Sequence, residues 1–344
     1  MKKLLLMILA LCFLAACASS IDEPPDLLPD AAYWPGTGLV TPSPQPTSPP
    51  NELTETPMPT IEPTVEPTPQ PAAQPTSQPT PAPLVTASPV AVPAGIVNPF
   101  PTTFMSAYDD NGQLLRDSRS WGFVRNADHQ PPPLRGGRWG FDIRPFNAVH
   151  LGDFSGNYLY LTFDLGYEYR FTPVILDTLR DKGVYAAFFI TGGYLIQNPD
   201  LVRRMVNEGH LVVNHGRHHH SNPTLNAEQL TFEIMKVDRL FQELIGQPMS
   251  RFYRPPYGEY SAFSLDFTNQ LGWKTVFWSI AYVDWVTTNQ PGRDYVINHF
   301  HRNIHPGAIV LMHTVSQSNA EALPYVIEWL WEQGYTFKSL YDLP

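Results

Sequence analysis

Five short stretches of this chain collect residue types that hydrolytic chemistry uses: LTFDLGYE (161–168), NHGRHHH (214–220), RPPYG (254–258), VDW (283–285) and VLMH (310–313). Asp164 ends an apolar run and offers a carboxylate that can take a proton. His215 and His219, four residues apart, suit a divalent metal, although His218 and His220 lie in the same run and any pair of the four could bind one. Arg254 precedes two prolines that restrict the backbone, and a guanidinium fixed there can hold a carboxylate. Asp284 can orient a histidine, and His313 can pass a proton. Each has an ordinary alternative: Asp164 as a loop cap, Arg254 in a structural salt bridge, Asp284-Trp285 as a surface turn with a core tryptophan, His313 as a buried neutral imidazole. Their joint occurrence within about two hundred residues favours a metal-assisted hydrolytic site.

Residues so far apart need a scaffold that gathers them, and the chain beyond Asn157 has the pattern of one. Seven β-branched or aromatic runs read as strands: 158–164, 186–192, 210–216, 251–256, 274–280, 308–314 and 335–340. Helical patterns with their own punctuation lie between them. Thr172-Pro173 opens one helix and Gly183 closes it; Asn198-Pro199 and Gly209 frame a second. Asn226 with Gln229 forms a capping box for a longer helix, with Leu230, Ile234, Val237, Leu240 and Leu244 inward and Gly246 at its end. Pro324 interrupts the helical stretch 319–333, which predicts a helix that starts or kinks there. Alternating strands and helices imply an α/β fold with a parallel sheet, and about seven units suit a distorted (β/α) barrel. Every chemical motif falls at or just beyond the C-terminal end of a strand, the end where a parallel barrel gathers its active site.

The N-terminal part has another character. Residues 1–17, MKKLLLMILALCFLAAC, have two lysines, an apolar run and small residues before Cys17, the form of a secretory signal. Leu14-Ala15-Ala16-Cys17 looks like a bacterial lipobox, in which Cys17 is lipidated and becomes the mature N-terminus. The only other cysteine, Cys12, lies in the apolar run, so no disulfide is available to the processed chain. Residues 21–100 hold 22 of the 37 prolines, with eight acidic residues and no Lys or Arg. Such a segment buries too little apolar surface to order and reads as a disordered, partly polyproline II tether, with a reach of up to roughly 200 Å. The expected organisation is a signal at 1–17, a linker at 18–100, an arm at 101–157 and the barrel at 158–344. Of the net charge of −10, residues 101–344 carry only −4. There is no basic patch to suggest nucleic acid, and no protein partner is evident.

From Trp121 onwards the sequence resembles the polysaccharide deacetylases of carbohydrate esterase family four, and more closely their delta-lactam-biosynthetic branch, the N-acetylmuramic acid deacetylases. The blocks that carry the resemblance are SWGFVRNADHQPP, YLTFDLGYE, EGHLVVNH, RPPYGEYS, VFWSIAYVDW, HPGAIVLMH, NAEAL and GYTFKSL. By this resemblance Asp164 is the general base, and His215 and His219 hold a divalent metal, commonly zinc. Arg254 positions the base, Asp284 tunes His313, and His313 protonates the leaving amine. Trp285 and Leu311 line the acetyl pocket, and a backbone N–H near Tyr257 meets the oxyanion. The implied partner is the glycan of peptidoglycan, reached from a membrane through the lipid at Cys17.

Two positions depart from the wider family. The residue after the base, usually a metal-binding Asp, is Leu165, which cannot coordinate, so metal should be held more weakly. Glu168 is a substitute carboxylate with nothing in the sequence to fix its direction. The Ser or Thr usual after the first histidine is Gly216. Two other functions compete: a catalytically weak wall-binding module, and a deacetylase of another exported polysaccharide such as chitin oligomers. Retention of both Asp164 and His313 speaks against the first, and the block at 121–132 against the second.

Overall fold

The computed structural model describes residues 95–101, 103–124, 128–134 and 140–344. The proposed signal with Cys17 and nearly all of the proline-rich segment lie outside the described residues. The elements in chain order are β1 (Arg119–Ser120), β2 (Ala148–Val149), β3 (Tyr158–Leu165), α1 (Thr172–Lys182), β4 (Ala187–Ile190), α2 (Gly192–Gln197), α3 (Pro199–Asn207), β5 (Leu211–Asn214), α4 (Ala227–Ile245), β6 (Phe252–Tyr253), β7 (Glu259–Tyr260), α5 (Ala262–Gln270), β8 (Lys274–Val276), α6 (Arg293–Asn303), β9 (Ala308–His313), α7 (Gln317–Glu332) and β10 (Thr336–Phe337).

All seven expected strands form, and all pair in parallel. β3 lies between β9 and β4, and the row continues from β4 through β5, β6 and β8 to β2. β10 joins the N-terminal end of β3. A parallel bridge between Ile280, just past β8, and Val310 of β9 brings the row round on itself as a distorted barrel.

Side-chain alternation along the strands separates two apolar layers. Tyr160, Ala187, Phe189, Val213, Phe252, Val276 and Ile309 pack together inside the barrel. Their neighbours, including Leu161, Phe163, Leu165, Phe188, Val212, Val310 and Met312, face the helices in a second cluster. Full burial of each such side chain is worth about 1.5–3 kcal/mol. A one-residue slip in register would exchange the two layers, so burial on both faces fixes which residues look inward.

The helices follow their local signals. Gly183, at φ 63°, ends α1 and donates to the carbonyls of Leu179 and Arg180. Asn226 and Gln229 form the expected capping box on α4, and Gly246 ends it at φ 87°. Leu230, Ile234 and Val237 are buried as expected, whereas Leu240 and Leu244 pack only partly against the same cluster. Helix α7 rules out one of the two alternatives for Pro324, a start at the proline: it begins seven residues earlier, at Gln317, and continues through the proline to Glu332. An interior proline costs about 3 kcal/mol. Ala320, Ala322, Leu323, Val326, Ile327 and Leu330 are all buried on this helix, and that burial outweighs the cost.

The region before the barrel packs against its side. β1 pairs antiparallel with β7, and Phe141, Ile143, Phe146 and Ala148 join Tyr260, Leu265 and Phe277 in a third apolar cluster. Trp121 stacks on Phe277 with centroids 4.4 Å apart, and its indole donates to the Trp278 carbonyl at 2.9 Å.

Candidate active site

The inward alternation that fills the barrel with apolar side chains continues at its C-terminal end with polar ones. On β3, Tyr160 is followed on the same face by Thr162 and Asp164; on β9, Ile309 is followed by Leu311 and His313; past β5 and β6 come His215 and Arg254. Asp164 and His313 are paired across β3 and β9. The barrel's register therefore sets the spacing of the site.

Arg254 is the centre of the arrangement and is fully buried. Its Nη1 donates to Asp164 Oδ1 at 2.5 Å, Nη2 to Thr162 Oγ1 at 3.0 Å and Nε to the Val276 carbonyl at 3.0 Å. The guanidinium carbon sits 3.9 Å from the centroid of Phe189. Burial lowers the Arg254 pKa from its ordinary value while Asp164 pulls it upward. A buried cation is tolerated only when its donors are satisfied and a counter-charge is in contact, and both conditions hold here.

Arg254 also reaches the histidine pair through its backbone. His215 Nδ1 lies 2.8 Å from the Arg254 carbonyl, so the ring carries its proton on Nδ1 and keeps a lone pair on Nε2. His215 Nε2 and His219 Nε2 are 3.2 Å apart, and Asp164 Oδ2 is 3.5 Å from His215 Nε2. Burial depresses the pKa of both histidines, reinforced at His219 by the charges of His215 and His313. Two neutral imidazoles converging through Nε2 beside a carboxylate form a donor set that fits a divalent cation.

The loop bearing these histidines is held partly by its own motif and partly from α4. Asn214 Oδ1 accepts from the Gly216 N–H at 2.9 Å, and Asn214 Nδ2 donates to the Ile234 carbonyl at 2.8 Å. Gly216 is at φ 83°, and a Cβ there would stand 3.3 Å from Glu233 Oε2. That oxygen accepts from the His218 N–H at 2.8 Å. Glycine at 216 thus makes room for a carboxylate from α4 that supports the loop.

Across the mouth, His313 Nδ1 is 2.7 Å from Asp284 Oδ1, and the His313 N–H donates to Asp284 Oδ2 at 2.8 Å. Asn319 donates to the same Oδ2 at 2.6 Å and to the His313 carbonyl at 3.0 Å; Tyr282 in turn donates to Asn319 Oδ1. Burial alone would lower the His313 pKa, but the charge and hydrogen bond of Asp284, with Asp164 nearby, raise it above the ordinary histidine value. The two sides of the site therefore carry imidazoles of opposite tendency: one pair kept neutral, one ring kept ready to hold a proton.

The remaining expected residues surround this centre. Tyr257, at φ 59° and ψ 1°, is a non-glycine residue in the left-handed region, and its ring meets His219 edge-on at 4.5 Å. Backbone in that region is strained and is kept only where the surroundings impose it. Trp285 lies 5.4 Å from the His313 ring, and Leu311 is buried two residues before His313 on the same face. Leu165 contributes no ligand atom and packs on the helix side of the barrel. Glu168 does have a fixed direction: its Oε2 accepts from the buried Tyr194 hydroxyl at 3.0 Å. Thr162, Asn319 and Glu233 were missed as site residues. Thr162 was open to discovery, since it stands two residues before Asp164 on one strand, and Asn319 opens the NAEAL block without a sign of its role; Glu233 sits within a helix and gives no comparable signal.

Residues 152–276 match the family model described as polysaccharide deacetylase. The chain is similar to the peptidoglycan-N-acetylmuramic acid deacetylase PdaA of Bacillus subtilis, at 43% identity over 224 residues covering 65% of this chain and 85% of the relative. It is 33% identical over 206 residues to a peptidoglycan-N-acetylglucosamine deacetylase of Bacillus cereus, covering 57% of this chain and 74% of that one. The solved structure of B. subtilis PdaA, a family 4 carbohydrate esterase, superposes with a TM-score of 0.63 at 41% identity, covering 67% of this chain and 98% of that one.

Proposed function

The chain belongs to the polysaccharide deacetylase family, and from that premise we propose that it hydrolyses the N-acetyl amide of peptidoglycan amino sugars, N-acetylmuramic acid before the others. The observation that carries the reading is the opposition of Asp164, pinned by Arg254, to His313, bonded to Asp284, across a mouth that also holds His215 and His219.

His215 and His219 would hold a divalent metal, with zinc suited to the two imidazole donors. Such an ion supplies a Lewis acid for the acetyl carbonyl and eases deprotonation of water. The chain's own residues do the rest. Asp164 Oδ2 takes the proton of the attacking water while Oδ1 stays bonded to Arg254, so the accepting oxygen is held in place. His313, with Nδ1 given to Asp284, passes a proton from Nε2 to the sugar nitrogen, because an amine leaves poorly until it is protonated. The strained turn at Tyr257 presents backbone N–H to the developing oxyanion. Trp285 and Leu311 form the apolar wall against the acetyl methyl. One water is consumed, and acetate and a free amino sugar leave.

The muramic preference is supported by the higher identity to the muramic than to the glucosamine enzyme. The same reading places the protein outside the cell on the wall glycan, with lipid at Cys17 as anchor and the proline-rich segment as tether. Cys17→Ala should then abolish lipid labelling; an unlipidated wild-type protein cleaved elsewhere would refute the anchor. For the substrate, the protein is incubated with peptide-free muramic glycan and, separately, with chitin oligomers, and released acetate is followed. Acetate from the muramic glycan is expected. Clear release from chitin with none from the glycan would overturn the muramic assignment.

A further inference from the structure

The histidine-rich loop holds a second group of metal-binding side chains, separate from the His215–His219 pair. His218 Nδ1 is 2.7 Å from Glu233 Oε1, and His220 Nδ1 is 3.3 Å from the same oxygen. The two rings are tilted by 32° with centroids 5.3 Å apart. All three ligand atoms lie within 4.8 Å of one another. We propose that His218, His220 and Glu233 form a second divalent-cation site, selective for zinc-like ions, that ties the histidine loop to helix α4.

Three observations carry this beyond a chance pair of surface histidines. The carboxylate is buried and prearranged: Glu233 is 3% exposed, and its Oε2 is occupied by the His218 N–H, which turns Oε1 outward to both rings. Its orientation depends on the backbone of Gly216, whose missing side chain leaves Oε2 its space. Two imidazoles then share one carboxylate oxygen through the same ring atom. In a tetrahedral zinc site, bonds of about 2.0–2.1 Å to nitrogen and oxygen set ligand atoms roughly 3.3 Å apart; the His220–Glu233 pair already stands at 3.3 Å, and the His218–Glu233 hydrogen bond at 2.7 Å would give up its proton and open as an ion enters. Two nitrogens and one oxygen leave a fourth position for water.

The consequence is mechanical. His219 lies between the two proposed ligands at φ 62°, and α4 packs against the barrel through Leu230, Ile234 and Val237. A cation bridging the loop to Glu233 would restrict the backbone on both sides of His219. The site does not depend on the deacetylase reading, because it needs neither Asp164 nor His313.

The test is zinc stoichiometry of the full chain by equilibrium dialysis and elemental analysis, with cobalt(II) absorption as a report on geometry. Wild type should take up two ions per chain. His220→Ala removes a ligand whose side chain is 58% exposed, so folding is not at stake, and it should lose one ion together with part of the zinc-induced rise in melting temperature. The double variant His215→Ala/His219→Ala should keep one ion with a tetrahedral cobalt spectrum. Equal uptake by wild type and His220→Ala would overturn the proposal, as would loss of both ions in a folded double variant. If the double variant does not fold, the comparison of wild type with His220→Ala decides alone.

Discussion

Asp164 and His313 stand opposite each other in register on adjacent parallel strands, so their side chains share the inner face of the barrel. Each has a dedicated charge partner, Arg254 for the carboxylate and Asp284 for the imidazole. The proposed base and the proposed acid are thereby set side by side by the sheet itself. Asp164→Asn keeps the shape and removes the proton acceptor; His313→Ala removes the donor. Each should lower the deacetylation rate by on the order of 10² or more, measured as acetate release from peptide-free glycan. Wild-type rates in both variants would refute the assignment.

The His313–Asp284 contact also fixes a pH dependence. The raised His313 pKa means that the acid stays protonated to a higher pH than an ordinary histidine, and the alkaline fall in rate reports its loss. Asp284→Asn removes the charge that raises it, and should move that limb to lower pH, along with a fall in rate from the altered tautomer. For stability the sign is the same: the protonated pair contributes fully below the ordinary value of about 6.5 and the contribution fades as pH rises through the folded value. An alkaline limb that does not move in Asp284→Asn would assign it to another group.

Arg254 tests how far the site's stability rests on one cation. Arg254→Met leaves Asp164 buried without its counter-charge, and loss of one partner of a buried pair costs about 3–5 kcal/mol. The urea midpoint should fall accordingly. Adding Asp164→Asn to Arg254→Met should recover part of the loss, because the uncompensated charge is gone. Additive losses in the double variant would mean that the guanidinium acts mainly through Thr162 and Val276.

The barrel was legible because its strands are buried on both faces and bounded by caps and glycines, which made each run stand out. β1, β2 and β7 were not: each is two residues long and stands outside the longer β-branched or aromatic runs that announced the equally short β6 and β10. A helix start at Pro324 was the wrong alternative because the local penalty is outweighed by burial that only the assembled fold reveals. The site's charged residues were legible at the ends of apolar runs, where a polar side chain is conspicuous. Glu233 was not, lying between Leu230 and Ile234 on α4 like any residue of a polar face; only the packing of α4 under the histidine loop turns it inward.

The strained turn after Arg254 gives the last prediction, since its shape depends on what lies behind it. Gly258 is at φ 66°, and a Cβ there would meet Trp278 Cη2 at 2.7 Å and Trp121 Cβ at 3.0 Å. Trp121 is fixed in turn by its N–H bond to the Gly258 carbonyl and by its stack on Phe277. The Trp121 Cβ is tied to that held backbone and cannot retreat without it, so Gly258→Ala should push the turn outward and move Tyr257 against His219. Gly183 offers a matched control: it has a similar φ of 63° with nothing within 4 Å of an added Cβ. Gly183→Ala should cost about 1 kcal/mol of stability from backbone strain alone and leave the deacetylation rate unchanged. Gly258→Ala should lower the melting temperature further and reduce kcat. If the two variants lose equal stability and both keep full activity, the arm of the chain that carries Trp121 does not position the turn.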